Sequence, residues 1–231
     1  MAGLAIAVAG SGLIIGCITL SGLTGKFSIV LEAVSGGQVI IVLIAAAVLL
    51  ILLGAGMPTA SVYMMGVALI APQLIQQYGV PMLQTHLFLV YYGCLSAISP
   101  PVAVACFAAA SIAGADPMKV GWYASKAAFA GFSVPFFFVF NDGILLHGGL
   151  DAMAWDLVVG VVHVAGLALA LFWPFGTGRA DWFWRAAFGI AALTVIAPNP
   201  TLQGLMSLAM VGGAVLAWRY KPVQTAVAGT D

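Results

Sequence analysis

The sequence predicts an all-α, polytopic membrane protein with a re-entrant helical hairpin and a broken transmembrane helix. Three observations predict it. Of 231 residues, 63% are hydrophobic and only 6% are charged. Soluble domains carry about 25% charged residues, so this chain cannot cover a water-facing surface. The apolar residues also fall into runs long enough to reach or pass a bilayer midplane. Finally, two such runs are interrupted, at Gly54-Ala55-Gly56-Met57-Pro58-Thr59-Ala60 and at Ser99-Pro100-Pro101. Lipid offers no hydrogen-bond partners to a broken helix. Such breaks therefore survive only where the loose backbone faces protein, a cavity or an ion.

Residues 1–20 form the first apolar segment, with Gly10-Ser11-Gly12 inside it. Residues 22–37 are half-polar, carry Lys26 and Glu32, and close on Gly36-Gly37. They read as a helix lying in the interface. Residues 39–53 are a continuous run of Val, Ile, Leu and Ala that ends in the first break. Residues 60–77 are helical again, and Gln73, Gln76 and Gln77 mark the exit to water. Tyr78-Gly79-Val80-Pro81 is a turn.

Residues 82–98 and 102–113 flank the second break, and Ala115-Asp116-Pro117 punctuates the next turn. Residues 118–127 carry Lys119, Trp122, Tyr123 and Lys126, as suits the headgroup level. Further spans are expected at 128–147, 152–173, 183–197 and 201–218. Trp155, Trp173, Trp182 and Trp184 read as interface anchors.

Seven basic and seven acidic residues cancel. No basic stripe suits nucleic acid, and no acidic tail is present. Lys119 and Lys126, Arg179 and Arg185, and Arg219 and Lys221 recur on every second loop, whereas 147–151 and 198–201 lack Lys and Arg. The excess of positive charge on the inner side predicts a cytoplasmic C-terminus and an outer turn at 78–81; Lys26 alone dissents.

Paired breaks of this kind point to a transporter binding site. A helix ending at 53–55 aims free carbonyls at the break, and one restarting near Ala60 aims free N–H groups at it. These ends carry about half a charge each, negative at carbonyls and positive at amides. Pro58 and Pro101 suit first-turn positions, and Thr59 and Ser99 suit caps or oxygen ligands. Meeting at the midplane, such ends could hold a sodium ion beside an anionic substrate. The plainer reading is two ordinary kinks in a helical bundle.

Cys17, Cys94 and Cys106 lie in apolar stretches and form no CxxC; they read as small buried hydrophobes. His86, His147 and His163 form no HExxH, so neither a metal site nor a cofactor is expected. Asp142 falls within the expected span 128–147, close to its outer end, and reads as a shallow, solvated carboxylate. His163, mid-span, reads as bonded to a neighbouring helix. No nucleophile with a base is arranged for an intramembrane enzyme. A channel filter would need polar rings or repeated carbonyl loops.

Several stretches together resemble the large, substrate-translocating subunit of a TRAP transporter, in particular the TAXI-type fused permease. They are residues 9–16 (AGSGLIIG), Gly22-Leu23, Gly56-Met57-Pro58-Thr59-Ala60, His86-Leu87-Phe88, residues 96–103 (SAISPPVA), Ala113-Gly114-Ala115-Asp116-Pro117 and Pro135-Phe136. The resemblance implies sodium-coupled uptake of small organic anions across the bacterial inner membrane, fed by a periplasmic TAXI-type solute-binding protein. The alternatives are a passive channel, a structural membrane subunit or an inactive permease fragment.

The resemblance also implies an elevator-like transport domain made of two inverted repeats, each with one hairpin and one broken helix. Residues 1–148 would be the second repeat: interface helix 22–37, hairpin 39–77, broken helix 82–113 and span 128–147. Residues 149–231 would be extra C-terminal helices with a short cytoplasmic tail. The first repeat and the small four-helix subunit have no counterpart here. The family likeness thus implies the C-terminal part of a permease, as a fragment, a split gene or a misplaced start, with those segments supplied by a partner. Ion and substrate would meet Gly54, Gly56, Met57, Pro58, Thr59, Ser61, Ser96, Ser99, Pro100 and Pro101, with sodium at Gly56, Thr59 and Ser99. Ser99 replaces a threonine frequent in the family and keeps its hydroxyl.

Overall fold

The computed structural model describes residues 9–219, apart from 11, 15, 18–19, 55–56, 101–102, 174–178, 195 and 197–198, and gives only the backbone of 23–24, 27–28, 179–181 and 216–219. The described residues are helical, with no strand among them. They divide into two compact units, residues 1–139 and 140–231.

In the first unit, α1 (Leu23–Ser35) is bounded by Gly22 and Gly36, both left-handed (φ 66° and 57°). Glycine ends a helix cheaply in that conformation. Ser35 at its end is buried, and its hydroxyl lies 2.9 Å from that of Tyr78. The α2 helix (Val39–Leu53) has no polar side chain. It buries Val42, Leu43, Ala46, Ala47 and Leu50 and exposes Ile44, Val48 and Leu52. This split at helical spacing suits one face for protein and one for lipid.

The α3 helix (Thr59–Leu69) packs through Gly66. A Cβ there would stand 2.8 Å from a methyl of Leu50 and 3.2 Å from one of Leu89. The missing side chain lets three helices close together. The sequence predicts a continuous helix over 60–77, but regular winding stops near Ile70 and a π-turn covers Gln73–Gln77. Pro72 has no N–H for the α-ladder, and the Tyr78 N–H reaches back five residues to the Gln73 carbonyl (3.1 Å).

Next come α4 (Met82–Ser96), α5 (Val104–Ala113), α6 (Pro117–Ala127) and α7 (Phe129–Phe140). Asp116 caps α6 by accepting the Lys119 N–H at 2.9 Å, with Pro117 in the first turn. The α6 and α7 axes meet at 41°. Pro135 lies within α7 and leaves its ladder one donor short. Nearby, the Tyr92 hydroxyl of α4 donates to the Phe132 carbonyl at 2.5 Å. Phe88, Tyr92, Phe132 and Phe136 pack edge-on or tilted around that bond, holding α4 against α7.

The second unit has a 3₁₀ turn (Asp142–Leu145) and helices α8 (Leu150–Phe172), α9 (Arg179–Thr194) and α10 (Pro200–Arg219). The expected span 128–147 is corrected here. Its helix stops at Phe140, Asn141 is extended (φ −133°), and Asp142 is exposed in the turn beyond. The extended Asn141 ends the ladder, and the Gly143 N–H is taken by Asp156 Oδ2 at 2.8 Å. Asp142 is thus outside any helical span.

His163 is fully buried, and its Nδ1 lies 2.7 Å from the Ala192 carbonyl in the last turn of α9. The expected bond to a neighbouring helix is present. Gly166, one turn on, makes room for Met210 and Ala192. Gln203 Nε2 donates to Asn141 Oδ1 at 2.7 Å, and both residues are buried.

Among the described residues, helix α8 alone is long and apolar enough to cross a membrane by itself, and α6 with α7 passes as one bent span. Helices α2, α3 and α5 and residues 200–215 are apolar but shorter.

The α6 cap gives a direct stability test. Asp116→Ala should cost about 1 kcal/mol and Asp116→Asn little, because asparagine keeps the acceptor. Chemical unfolding in micelles measures both.

Candidate functional site

The two breaks lie side by side in the first unit. A Cβ at Gly54, which ends α2, would collide with Cβ and Oγ of Ser96, the last residue of α4. A Cβ at Gly93, one turn earlier on α4, would stand 3.4 Å from Thr59 Cγ2 and 3.6 Å from the Thr59 carbonyl. Thr59 is the first residue of α3. Both flanks of the first break therefore rest on the last turn of the helix that enters the second. Gly54, Ser96 and Ser99 are buried, as is Ser61 one turn into α3; Met57, Pro58, Thr59 and Pro100 are half-buried. Gly56 and Pro101 lie outside the described residues.

The hydroxyls are oriented. Ser96 Oγ donates to the Gly93 carbonyl at 2.7 Å, and Ser99 Oγ to the Leu95 carbonyl at 2.8 Å. With its proton committed, each oxygen offers only lone pairs to anything in the break.

Three expectations about the caps are corrected. Pro58 is the cap position of α3 rather than its first turn, and no side chain caps that end. Thr59 is the first helical residue, so its hydroxyl lies past capping reach. Ser99 does not cap α5; Ala103 holds that position, and its N–H donates to the Ser99 carbonyl at 3.0 Å. Pro100 and Pro101 cannot supply ladder donors, which delays the restart.

Backbone and side chains from both sides stitch the second break. The Ala105 N–H donates to the Ala97 carbonyl at 3.0 Å, and Ser125 of α6 donates to the Ile98 carbonyl at 3.2 Å. Ala103 is left-handed (φ 40°, ψ 51°), a conformation that costs a non-glycine residue about 1–2 kcal/mol. Gly121 of α6 approaches it closely: a Cβ there would lie 3.4 Å from that of Ala103.

The sequences of α2, α3, α4 and α5 contain no Lys, Arg, Asp or Glu. Within these four helices the available charge is that of helix ends, carbonyls and hydroxyls; α6, which borders the second break, carries Lys119 and Lys126. Among the described residues, no three His, Cys, Asp or Glu side chains gather as a metal site.

Sequence reasoning missed Gly93, Gly121, Ala103 and Ser125. It also missed a pair that the fold creates: the Tyr63 hydroxyl of α3 lies 2.8 Å from His86 Nδ1 of α4. These two residues are 23 apart, and no local spacing announces them.

The family model for the Tripartite ATP-independent periplasmic transporter, DctM component, matches residues 1–153 of the 231. The chain belongs to this family. No curated protein and no solved structure matches it. DctM proteins are integral membrane transporter subunits rather than enzymes, working with an extracytoplasmic solute-binding protein and a small membrane subunit. Both breaks of this DctM-family chain fall inside the matched residues.

The contact between the breaks predicts a compensating pair. Gly54→Ala should destabilise the chain by about 1–3 kcal/mol through overpacking. Adding Ser96→Gly, which empties the space the new methyl needs, should recover much of that loss. A double-mutant cycle by thermal unfolding in micelles measures the coupling.

Proposed function

We propose that this chain is a permease component for sodium-coupled uptake of small organic anions, with ion and solute passing at the two adjoining breaks. The observation that carries the reading is the junction itself: Gly54 and Thr59 seated on Ser96 and Gly93. It gathers helix ends of both polarities with hydroxyl and carbonyl oxygens, and no carboxylate. Oxygen donors of this kind suit a hard cation. In this reading sodium takes the oxygens of Gly56, Thr59 and Ser99. The amide ends near Met57, Pro58, Thr59, Pro100 and Pro101 face the anion. Gly54, Ser61 and Ser96 shape the wall.

The solute arrives from a periplasmic TAXI-type binding protein. A partner chain or segment supplies the first repeat and the small four-helix subunit. The chain lies in the bacterial inner membrane with its C-terminus in the cytoplasm, as the alternating Lys and Arg loops favour.

In proteoliposomes holding this chain, its membrane partner and its binding protein, removing the sodium gradient should abolish uptake. Ser99→Ala should raise the sodium concentration needed for half-maximal uptake about tenfold, a typical value for one lost oxygen contact to a charge. Matched changes in α10 should leave it unmoved. Undiminished uptake without sodium, or equal effects at both places, contradicts the reading.

A further inference from the structure

Beyond the breaks, α2, α3, α4 and α5 carry one side chain able to bear charge near neutral pH, and it is His86. His86 is the fifth residue of α4, about 10 Å along the helix from Gly93. Its partner Tyr63 is the fifth residue of α3, about 6 Å from Thr59. The phenol is 2.8 Å from Nδ1, and the rings are tilted at 57° with centroids 6.0 Å apart. Both residues are half-buried. Nε2 meets no partner among the described residues.

An imidazole N–H within apolar helices is costly unless water, a ligand or protein satisfies it. The aromatic residues and methyls common on these helices cannot do so. No other ionisable side chain lies on α2, α3 or α7 or in the π-turn, apart from Tyr63 itself. On α4 the remaining candidates are Tyr91, Tyr92 and Cys94, one to two turns away.

We infer that Tyr63 and His86 form a carboxylate-binding station between the 78–81 turn and the breaks, with His86 Nε2 as the donor. This rests on the reading above that an organic anion travels to the breaks. In this assignment the phenol donates to Nδ1, the ring proton then sits on Nε2, and that edge is a donor. A carboxylate entering apolar surroundings needs such a donor before it reaches the amide ends near Thr59. The pair bridges α3 and α4, and Thr59 of α3 meets Gly93 of α4 one to two turns on. Tyr63 is a positioning residue, and His86 is the one that touches the anion.

The test uses the full chain, ¹⁵N-labelled at histidine, in nanodiscs of zwitterionic lipid at constant sodium and ionic strength. Acetate is the probe, acetamide its uncharged counterpart, and His147 and His163 are internal references. Acetate should shift the His86 Nε2 resonance saturably, acetamide should not, and His163 should stay still. Tyr63→Phe should weaken acetate binding about 3- to 10-fold, the worth of one hydrogen bond. Read instead on the methyl resonance of ¹³C-labelled acetate, His86→Gln, which keeps a polar side chain, should abolish saturable binding while the His163 resonance reports an intact fold.

No shift, an equal response to acetamide, or indifference to Tyr63→Phe overturns the inference. The same shift on adding anionic lipid in place of acetate would assign the edge to a headgroup and also overturn it. Because the resonance is read without transport, a failure of sodium-coupled uptake leaves this outcome separately legible.

Discussion

A glycine with no clearance governs the first unit. Gly54 ends α2 against the side chain of Ser96, with no room for even a methyl group. That approach sets where α2 stops and brings the start of α3 onto Gly93. Two interruptions more than forty residues apart in sequence become one structural feature. In water, frayed helix ends are tolerable because solvent completes their hydrogen bonds. In hydrocarbon each uncompleted group costs several kcal/mol, and contact between the breaks gives each of them protein to face.

Serine chemistry completes the arrangement. Ser96, Ser99 and Ser125 each give their proton to a carbonyl near the second break. Tyr92 does the same for a carbonyl beside the proline of α7. These donors quiet carbonyls that a regular ladder would have used, and they leave hydroxyl oxygens with lone pairs to share. A surface rich in acceptors and nearly devoid of formal charge is the result. The proposed sodium reading rests on this chemistry: oxygen acceptors suit a hard cation.

Much of this was legible in the sequence. Composition established a helical membrane protein, and Gly/Pro punctuation located both interruptions. Loss of legibility began where three-dimensional proximity took over. Nothing local says that Gly54 touches Ser96, that Gly93 receives Thr59, or that Tyr63 finds His86 across 23 residues. Cap assignments failed for a related reason. Ser99 looks like a cap because it precedes two prolines, but its hydroxyl turns back to Leu95 and the helix restarts at Val104 behind a strained alanine. Hydrophobicity also overran the end of α7: apolar residues continue through Leu146, whereas the helix ends where Asn141 becomes extended, leaving Asp142 exposed as the solvated carboxylate expected.

One feature of the second unit bears on the lipid. Arg185 Nη1 donates to the Leu171 carbonyl at 2.9 Å and the Ala170 carbonyl at 3.4 Å, so a guanidinium clasps the final turn of the 23-residue α8. A helix of that length measures about 34 Å, against a hydrocarbon layer of about 30 Å. At the opposite end Asp151 stands exposed in the first turn, while the Asp156 carboxylate is engaged by the Gly143 N–H. A helix of this length crosses such a layer with a few ångströms to spare. Its angle is governed by how α9 and α10 pack along it rather than by its length.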